Sequence, residues 1–467
     1  MNALTDFAAV VGASHVLTGA DVARYARDWM GKYQGHPLCV LRPADTAEVA
    51  ACVRLAAKHG LAVVPVGGNT GLVGGTMTEG GVMLSLERMN RIREVRTDAR
   101  LVVAEAGVVL TRLHEAAEAE GLYFPLWFGA RGSAMLGGVL STNAGGSNVL
   151  RYGSTRALCL GVEVVLADGR VLNLMSALHK DNSGYSLRDL FIGAEGTLGI
   201  ITAAVMKLVP APLAHATAMV AARSLPDALV LLNRMQAATG GRVEAFEFMP
   251  ATYSRRLAQV RPDLGLPFDV IPEVTILIEA GTTVVAEAEP SADGAVPLVA
   301  VLEGVLAAML AEGLITDGVI ARSDAQRRAM WARREAAAEI TAGIARAVDT
   351  DVCVPLDAVE PFLTTALQRL VTLDEGLTSL TVAHLGDGNL HFTVFPTRDG
   401  LADQVLEIVE DVVAELGGSF SAEHGVGLSK LPSMRRRKDA VALDVMRAIK
   451  AALDPEGRMN PGKVVPE

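Results

Sequence analysis

The sequence predicts a multidomain α+β protein, on three observations. The chain of 467 residues is about three domains' worth of length. From residue 38 to about 212, short β-branched runs alternate with helical segments and glycine-dense loops, the pattern of an α/β domain. Pro210 and Pro212 then punctuate a boundary, after which strands and helices resume until a polar, glycine-rich tail from Gly417 suggests a return to the first domain.

Each element has its own local signal. Thr46 is placed to cap a helix that runs to about His59, with Glu48 in its first turn and Gly60 ending it. LAVVPV at 61–66, VMLSL at 82–86, LVVAEAG at 101–107 and GVEVVLADGRVL at 161–172 read as strands, the last a hairpin turned at Asp168 and Gly169. Beyond the boundary come a strand, a helix at 224–238, the strand EVTILIEAG at 273–281 and a surface loop ending in GAVP. One long helix is expected over 323–346, followed by the strand DVCVP.

Composition removes several function classes. Half of the residues are apolar but only 4% are aromatic, so the mean hydropathy of +0.32 comes from Ala, Val and Leu, not from a membrane span. The most apolar stretch, VPLVAVLEGVLAAMLAEGL at 296–314, is interrupted by Glu303 and Glu312 and reads as a packed helix. The opening MNALTDFAAVVGASHV lacks a basic region followed by an apolar core, so a cytoplasmic location is expected. With 42 basic against 53 acidic residues, a formal −11, the charge speaks for solubility and against nucleic acid. The one basic run, Arg435, Arg436, Arg437 and Lys438, reads as a solvated helix face. Cys39, Cys52, Cys159 and Cys353 form no CxxC pair, and three or four of them are expected to be buried thiols in a reducing compartment.

Two short polar islands carry the chemistry. TVAHLGDGNLH at 381–391 and SAEHGVG at 421–427 hold three imidazoles and several carboxylates. His384 and His391 stand seven positions apart with two glycines and Asn389 between them, which suits a strand, a tight turn and a strand. Imidazole and carboxylate ligands suit Zn²⁺ or a neighbouring first-row divalent ion, with a position left open for substrate. The bland alternative, histidines that merely hydrogen-bond a turn, is weaker for four such residues in two motifs than for one.

Three glycine-rich loops point to a second ligand. PVGGNTGLVGG at 65–75 has five glycines in eleven residues directly after a strand, a density that lets backbone N–H groups converge on an anion. It is not a Walker loop, since no Gly-Lys-Ser/Thr follows, and it runs into another strand where a Rossmann loop would open a helix. Alone it could be a structural turn. The clusters GARGSAMLGGVLSTNAGG at 129–146, continued by RYGS at 151–154, and LFIGAEGTLGIIT at 190–202 add to it, the second with a composition that packs little. Three such loops imply a long ligand, a dinucleotide.

These motifs, with KDNSGYSLRDLFIGAEGTLGIIT from Lys180, TDVCVP at 350–355 and DPEGRMNPGKV from Asp454, resemble the flavin dehydrogenases of the vanillyl-alcohol oxidase or PCMH type. Within them the chain is similar to the D-2-hydroxyacid dehydrogenases over nearly its whole length. The resemblance implies a PCMH-type FAD-binding domain of two α/β subdomains at 1–212. It implies an α+β substrate cap domain with the metal motif at 213–415, and a C-terminal helical segment returning to the FAD site at 416–467.

By the same resemblance, FAD would rest its pyrophosphate on the first loop, Pro65, Gly67, Gly68, Asn69, Thr70 and Gly71. Ser133, Gly137, Gly138, Thr142, Ala144 and Gly153 would line the flavin and ribityl chain. Glu195, Gly199 and Ile200 would hold the adenosine side, and Asn460 would reach the flavin from the tail. Some relatives attach FAD to a histidine in the first loop; none stands there, so non-covalent FAD is expected.

The implied metal ligands are His384, His391 and Glu423, zinc being the expected ion, and the implied catalytic base is His424. The metal would hold the substrate's 2-hydroxyl and one carboxylate oxygen, His424 would take the hydroxyl proton, and hydride would pass to flavin N5.

For the substrate, the resemblance places Arg334 at a binding position, and Thr393 at one where the hydroxyglutarate enzymes carry Asn. It also marks a departure. Ala338 stands where the hydroxyglutarate enzymes carry Thr, and Asp349 where they carry Lys. An anion in place of a cation repels a distal carboxylate by on the order of 1 kcal/mol or more, unless another cation such as Arg333 or Lys430 compensates.

The expected activity is therefore oxidation of a D-2-hydroxyacid to its 2-oxoacid. D-2-hydroxyglutarate is the first candidate; D-lactate or another monocarboxylic D-2-hydroxyacid is the alternative, as is an O₂-using oxidase. Electron-transferring flavoprotein or quinone is the expected electron partner, and a homodimer the bare expectation.

Overall fold

The computed structural model describes residues 2–292 and 294–466. The chain forms two compact units, one of residues 1–145, 153–210 and 423–467 and the other of residues 146–152 and 211–422. Among the described residues no helix is long and apolar enough to cross a membrane.

The first unit contains two main sheets. In one, Cys39–Leu41 and Val63–Val66 flank Val82–Ser85 in parallel, and Val16–Leu17 adds an antiparallel edge. Parallel strands need a crossover, and the helix Thr46–Lys58 supplies it, burying Val49, Cys52 and Val53 in a core with Phe7, Leu41 and Leu84. The cap of that helix is Asp45, not Thr46: the Asp45 carboxylate accepts the Glu48 N–H at 2.9 Å, while Thr46 Oγ1 donates to Glu163 at 2.6 Å. The other sheet, ordered Ile92–Arg96, Leu101–Glu105, Ile200–Lys207, Cys159–Val165 and Val171–Leu174, is antiparallel throughout. Short turns at 97–100 and 166–170 join neighbouring strands of this sheet, the second being the hairpin expected at Asp168 and Gly169.

The second unit is built on a seven-stranded antiparallel sheet. Its order is Ile315–Ile320, Ala214–Ala222, Val274–Thr282, Val243–Pro250, Thr378–His384, Asn389–Phe395 and Val348–Cys353. Strand residues alternate between faces. One face, with Phe246, Ile278, Ala383 and Phe392, packs on the helices Leu225–Thr239, Pro297–Ala311, Val359–Leu373 and Ala402–Glu415 through Leu231, Leu302, Phe362 and Val409. The other face sets Met219, Leu277, Met249 and Val382 against Tyr253 and Leu257 of Ala251–Val260 and Met330 of Asp324–Glu335.

The single helix expected over 323–346 is two, Asp324–Glu335 and Ala337–Thr341. The buried Tyr253 hydroxyl donates to the carbonyls of Arg333 at 2.7 Å and Arg334 at 3.1 Å, which a continuing helix would give to residues 337 and 338. Cys39, Cys52 and Cys159 are buried, and burial pushes each thiol up to about 12.

Candidate active site

Cross-strand register assembles a polar row on the second unit's sheet. His384 pairs with Glu247 on one side and Asn389 on the other, while His391 pairs with Val382 and Asp351. Asn389 and His391 are two apart on one strand, so all of these side chains share the face opposite the large apolar core. The His384 and His391 rings meet edge to face, centroids 5.5 Å apart at 80°. The expected strand, turn and strand is present as Thr378–His384 and Asn389–Phe395.

Each imidazole has a carboxylate near it. Glu247, 1% exposed, accepts from or donates to His384 Nδ1 across 2.8 Å through Oε1, and takes the Arg334 Nε–H on Oε2 at 2.6 Å. Burial works to raise the Glu247 carboxyl, but the charges and hydrogen bonds of His384 and Arg334 outweigh it and hold the group below the usual carboxylate range. Arg334 Nη2 lies 3.5 and 3.4 Å from the two ring nitrogens of His384. Asp351 Oδ1 stands 4.0 Å from His391 Nδ1 and accepts from Asn389 Nδ2 at 3.0 Å. Asp351 Oδ2 accepts the N–H of Ala422, the last residue of this unit, at 3.2 Å.

Glu423 and His424 are the next residues in the chain and open the last segment of the first unit, with Glu423 Oε1 3.7 Å from His424 Nε2. Thr393 Oγ1 donates to Asp349 Oδ1 at 3.1 Å, and Asp349 itself is exposed. Arg333, a possible compensating cation, is turned to the carbonyls of Gly265 and Ala329.

The glycine loops meet within the first unit. A Cβ on Gly68 would stand 2.0 Å from the Ser133 carbonyl oxygen, so the first and second loops touch backbone to backbone. Gly71 and Gly138 face open space. Asn69, at φ 52, donates to the Arg27 carbonyl at 2.9 Å and accepts from Thr76 at 2.7 Å. Pro65, Gly67 and Thr70 are half-buried beside it. The second cluster is a helix, Leu136–Thr142, and it packs closely where the sequence suggested it would not: a Cβ on Gly137 would lie 2.7 Å from Ala106 Cβ. Thr142 Oγ1 donates back to the Gly138 carbonyl, and Ala144 accepts both donors of Thr155. Gly153 has φ 79.

The Glu195 carboxylate accepts Val426 N–H at 2.7 Å and Gly427 N–H at 2.9 Å. Burial pushes this carboxyl above its usual range, against the pull of those two N–H groups. Gly199 and Ile200 are buried, and a Cβ on Gly199 would meet Val164 at 2.7 Å. Asn460, at φ 40, donates through Nδ2 to the carbonyls of Gly75 at 2.9 Å and Glu195 at 2.7 Å. Its buried Oδ1 has no hydrogen-bond partner among the described residues.

Sequence reasoning missed Glu247 and Asp351. The available signal was a carboxylate within a strand, in VEAFEFMP and in VDTDVC, where burial demands a partner.

Comparison with known proteins bears on these arrangements. A family model described as "FAD binding domain" matches residues 37–175, and one described as "FAD linked oxidases, C-terminal domain" matches residues 211–464. A mitochondrial D-2-hydroxyglutarate dehydrogenase of Bos taurus is 37% identical over 444 residues, covering 94% of this chain and 79% of that protein. A D-2-hydroxyglutarate dehydrogenase of Xanthomonas citri pv. viticola is 37% identical over 459 residues, covering 95% and 93%. The structure of p-cresol methylhydroxylase with substrate bound superposes with a TM-score of 0.74 at 16% identity, over 99% of this chain and 96% of that one, a likeness of fold.

Proposed function

The chain belongs to the FAD-linked oxidases of the vanillyl-alcohol oxidase/PCMH type, and from that premise we propose that it oxidises a D-2-hydroxyacid to the 2-oxoacid with non-covalent FAD and a divalent metal. The observation that carries the reading is the His384 and His391 pair, set edge to face by strand register, with Glu247 2.8 Å and Asp351 4.0 Å from their Nδ1 atoms.

The residues fit both groups. For FAD, Gly71 and Gly138 border open space and the buried Asn460 Oδ1 awaits a donor, as a ligand N–H would supply. When bound, FAD supplies a hydride acceptor. For the metal, the Glu247 carboxylate 2.8 Å from His384 Nδ1 orients that ring, and Asp351 Oδ1 lies 4.0 Å from His391 Nδ1. His384, His391 and Glu423 would hold it, zinc being the ion their chemistry suits first. When bound, it supplies a Lewis acid that lowers the pKa of the substrate hydroxyl.

The remaining work falls to side chains. His424 takes the hydroxyl proton on a ring nitrogen, as a general base adjacent to a ligand of the same loop. Arg334, 9% exposed, pairs with a substrate carboxylate and is itself oriented by Glu247. Thr393 fixes Asp349, so the position that would meet a distal group is anionic. The ~35% relatives support D-2-hydroxyglutarate as substrate; Asp349 favours a monocarboxylic D-2-hydroxyacid. Turnover of both classes with a dye acceptor, with and without prior chelation, tests the reading. Loss of activity on chelation and recovery with Zn²⁺ or Mn²⁺ is expected, and full activity of the metal-free protein would refute the metal's role. Peroxide yield in air separates a dehydrogenase, with electron-transferring flavoprotein or quinone as partner, from an oxidase.

A further inference from the structure

Glu195 joins three segments of the first unit. Its N–H donates to the Ser141 carbonyl in the helix Leu136–Thr142 at 2.8 Å, and its own carbonyl accepts Asn460 Nδ2 from the tail at 2.7 Å. Its carboxylate takes the N–H groups of Val426 and Gly427, one on each oxygen, at 2.7 and 2.9 Å. The residue holds φ 49 without being glycine, a conformation that persists only where the surroundings over-determine it.

The loop on the receiving end is shaped for an anion. Val426 lies between Gly425 at φ 81 and Gly427 at φ 49, and successive N–H groups in such a turn converge into an anion-binding nest. The nest is filled from within the chain. A Cβ on Gly425 would lie 2.7 Å from Glu195 Oε1, and one on Gly75 would lie 3.3 Å from Oε2, so the carboxylate is closed in on both sides by glycine backbone. Leu428 and Ser429 N–H both reach the Val73 carbonyl, at 2.8 and 3.2 Å, which ties the same loop to the first glycine loop. His424 stands two residues before Val426.

We propose that Glu195 is a positioning residue of the reaction: its carboxylate, seated in the nest of Val426 and Gly427, fixes the loop that carries His424, while its carbonyl fixes Asn460. The inference rests on the reading of His424 as base. Loop and tail are thus aligned by one side chain and one carbonyl, and proton removal at His424 is registered with the segment that reaches the flavin.

Glu195→Gln tests it in the holoenzyme. The amide keeps the shape but turns one acceptor into a donor, so one of the two N–H groups faces another donor. A displacement of the base by a fraction of an ångström to an ångström lowers kcat by roughly 10–100-fold, and substrate KM and FAD affinity should stay within about twofold, since no group touching either ligand is altered. Amide hydrogen exchange should rise at 424–428 and not at 65–71. Glu195→Asp keeps both acceptors at shorter reach and should fall between; it also carries the test if the Gln variant does not fold. Unchanged kcat in Glu195→Gln, or lost FAD affinity with normal kcat in the FAD-loaded fraction, overturns the proposal. His424→Ala is measured alongside. Lost turnover there with a normal Glu195→Gln sinks the positioning role alone, whereas normal turnover in both sinks the base.

Discussion

Replacing Glu247 by Gln removes one charge from the most enclosed part of the polar row while keeping its volume. In the native protein the carboxylate is 1% exposed and serves Arg334 Nε at 2.6 Å and His384 Nδ1 at 2.8 Å. The amide offers one acceptor, so it can serve only one of these N–H groups, and Arg334, 9% exposed, loses its counter-ion. Breaking a buried pair by removing one partner costs about 3–5 kcal/mol. For a unit of about 220 residues this is a fall in melting temperature of roughly 6–20 °C. Thermal unfolding with metal-free protein measures it, and adding Arg334→Met should return at least ~1 kcal/mol, because both charges are then gone. Metal affinity should separately fall about 10–100-fold, since the ring loses its orienting partner. A Glu247→Gln protein that melts within about 1 °C of the parent and binds metal equally well would refute the reasoning.

Other outcomes follow from single contacts. Gly68→Ala drives a Cβ to 2.0 Å from the Ser133 carbonyl and should prevent folding of the first unit, whereas Gly71→Ala meets nothing within 4 Å and should leave apo stability unchanged while weakening FAD binding at least ~10-fold; equal behaviour of the two by melting and flavin titration would contradict the loop assignment. Asp349→Lys should raise kcat/KM for a dicarboxylic D-2-hydroxyacid by about fivefold or more over a monocarboxylic one, from removal of on the order of 1 kcal/mol of like-charge repulsion; no change in that ratio removes Asp349 from the substrate's surroundings. His114 donates through Nε2 to the Leu126 carbonyl at 2.9 Å, and burial depresses its pKa below 6.5 despite that hydrogen bond. A depressed folded value means stability is present above 6.5 and lost as pH falls through the folded value, so His114→Gln should flatten the loss of denaturation midpoint between about pH 7.5 and 5.

The legible parts were those coded locally. Two histidines around a glycine-bearing turn specify a hairpin, and Thr378–His384 and Asn389–Phe395 form it. Ser224 before an apolar-periodic run specifies the start of Leu225–Thr239. What depended on distant partners was not legible. Glu247 meets His384 across 137 residues of chain, a consequence of strand order that no local pattern encodes. The break after Glu335 is made by the hydroxyl of Tyr253, some eighty residues away, so periodicity alone ran the helix through it. The nest that receives the Glu195 carboxylate, at Val426 and Gly427, was not legible because it lies 231 and 232 positions downstream.

The most direct test is anaerobic mixing of the FAD- and metal-loaded protein with matched D- and L-2-hydroxyacids, following the flavin's visible absorption. Rapid bleaching by a D-2-hydroxyacid, slowed by a deuterium at C2 and lost in His384→Ala and His424→Ala, is predicted. A flavin that stays oxidised with every D-2-hydroxyacid, or bleaches equally in the histidine variants, would contradict the account.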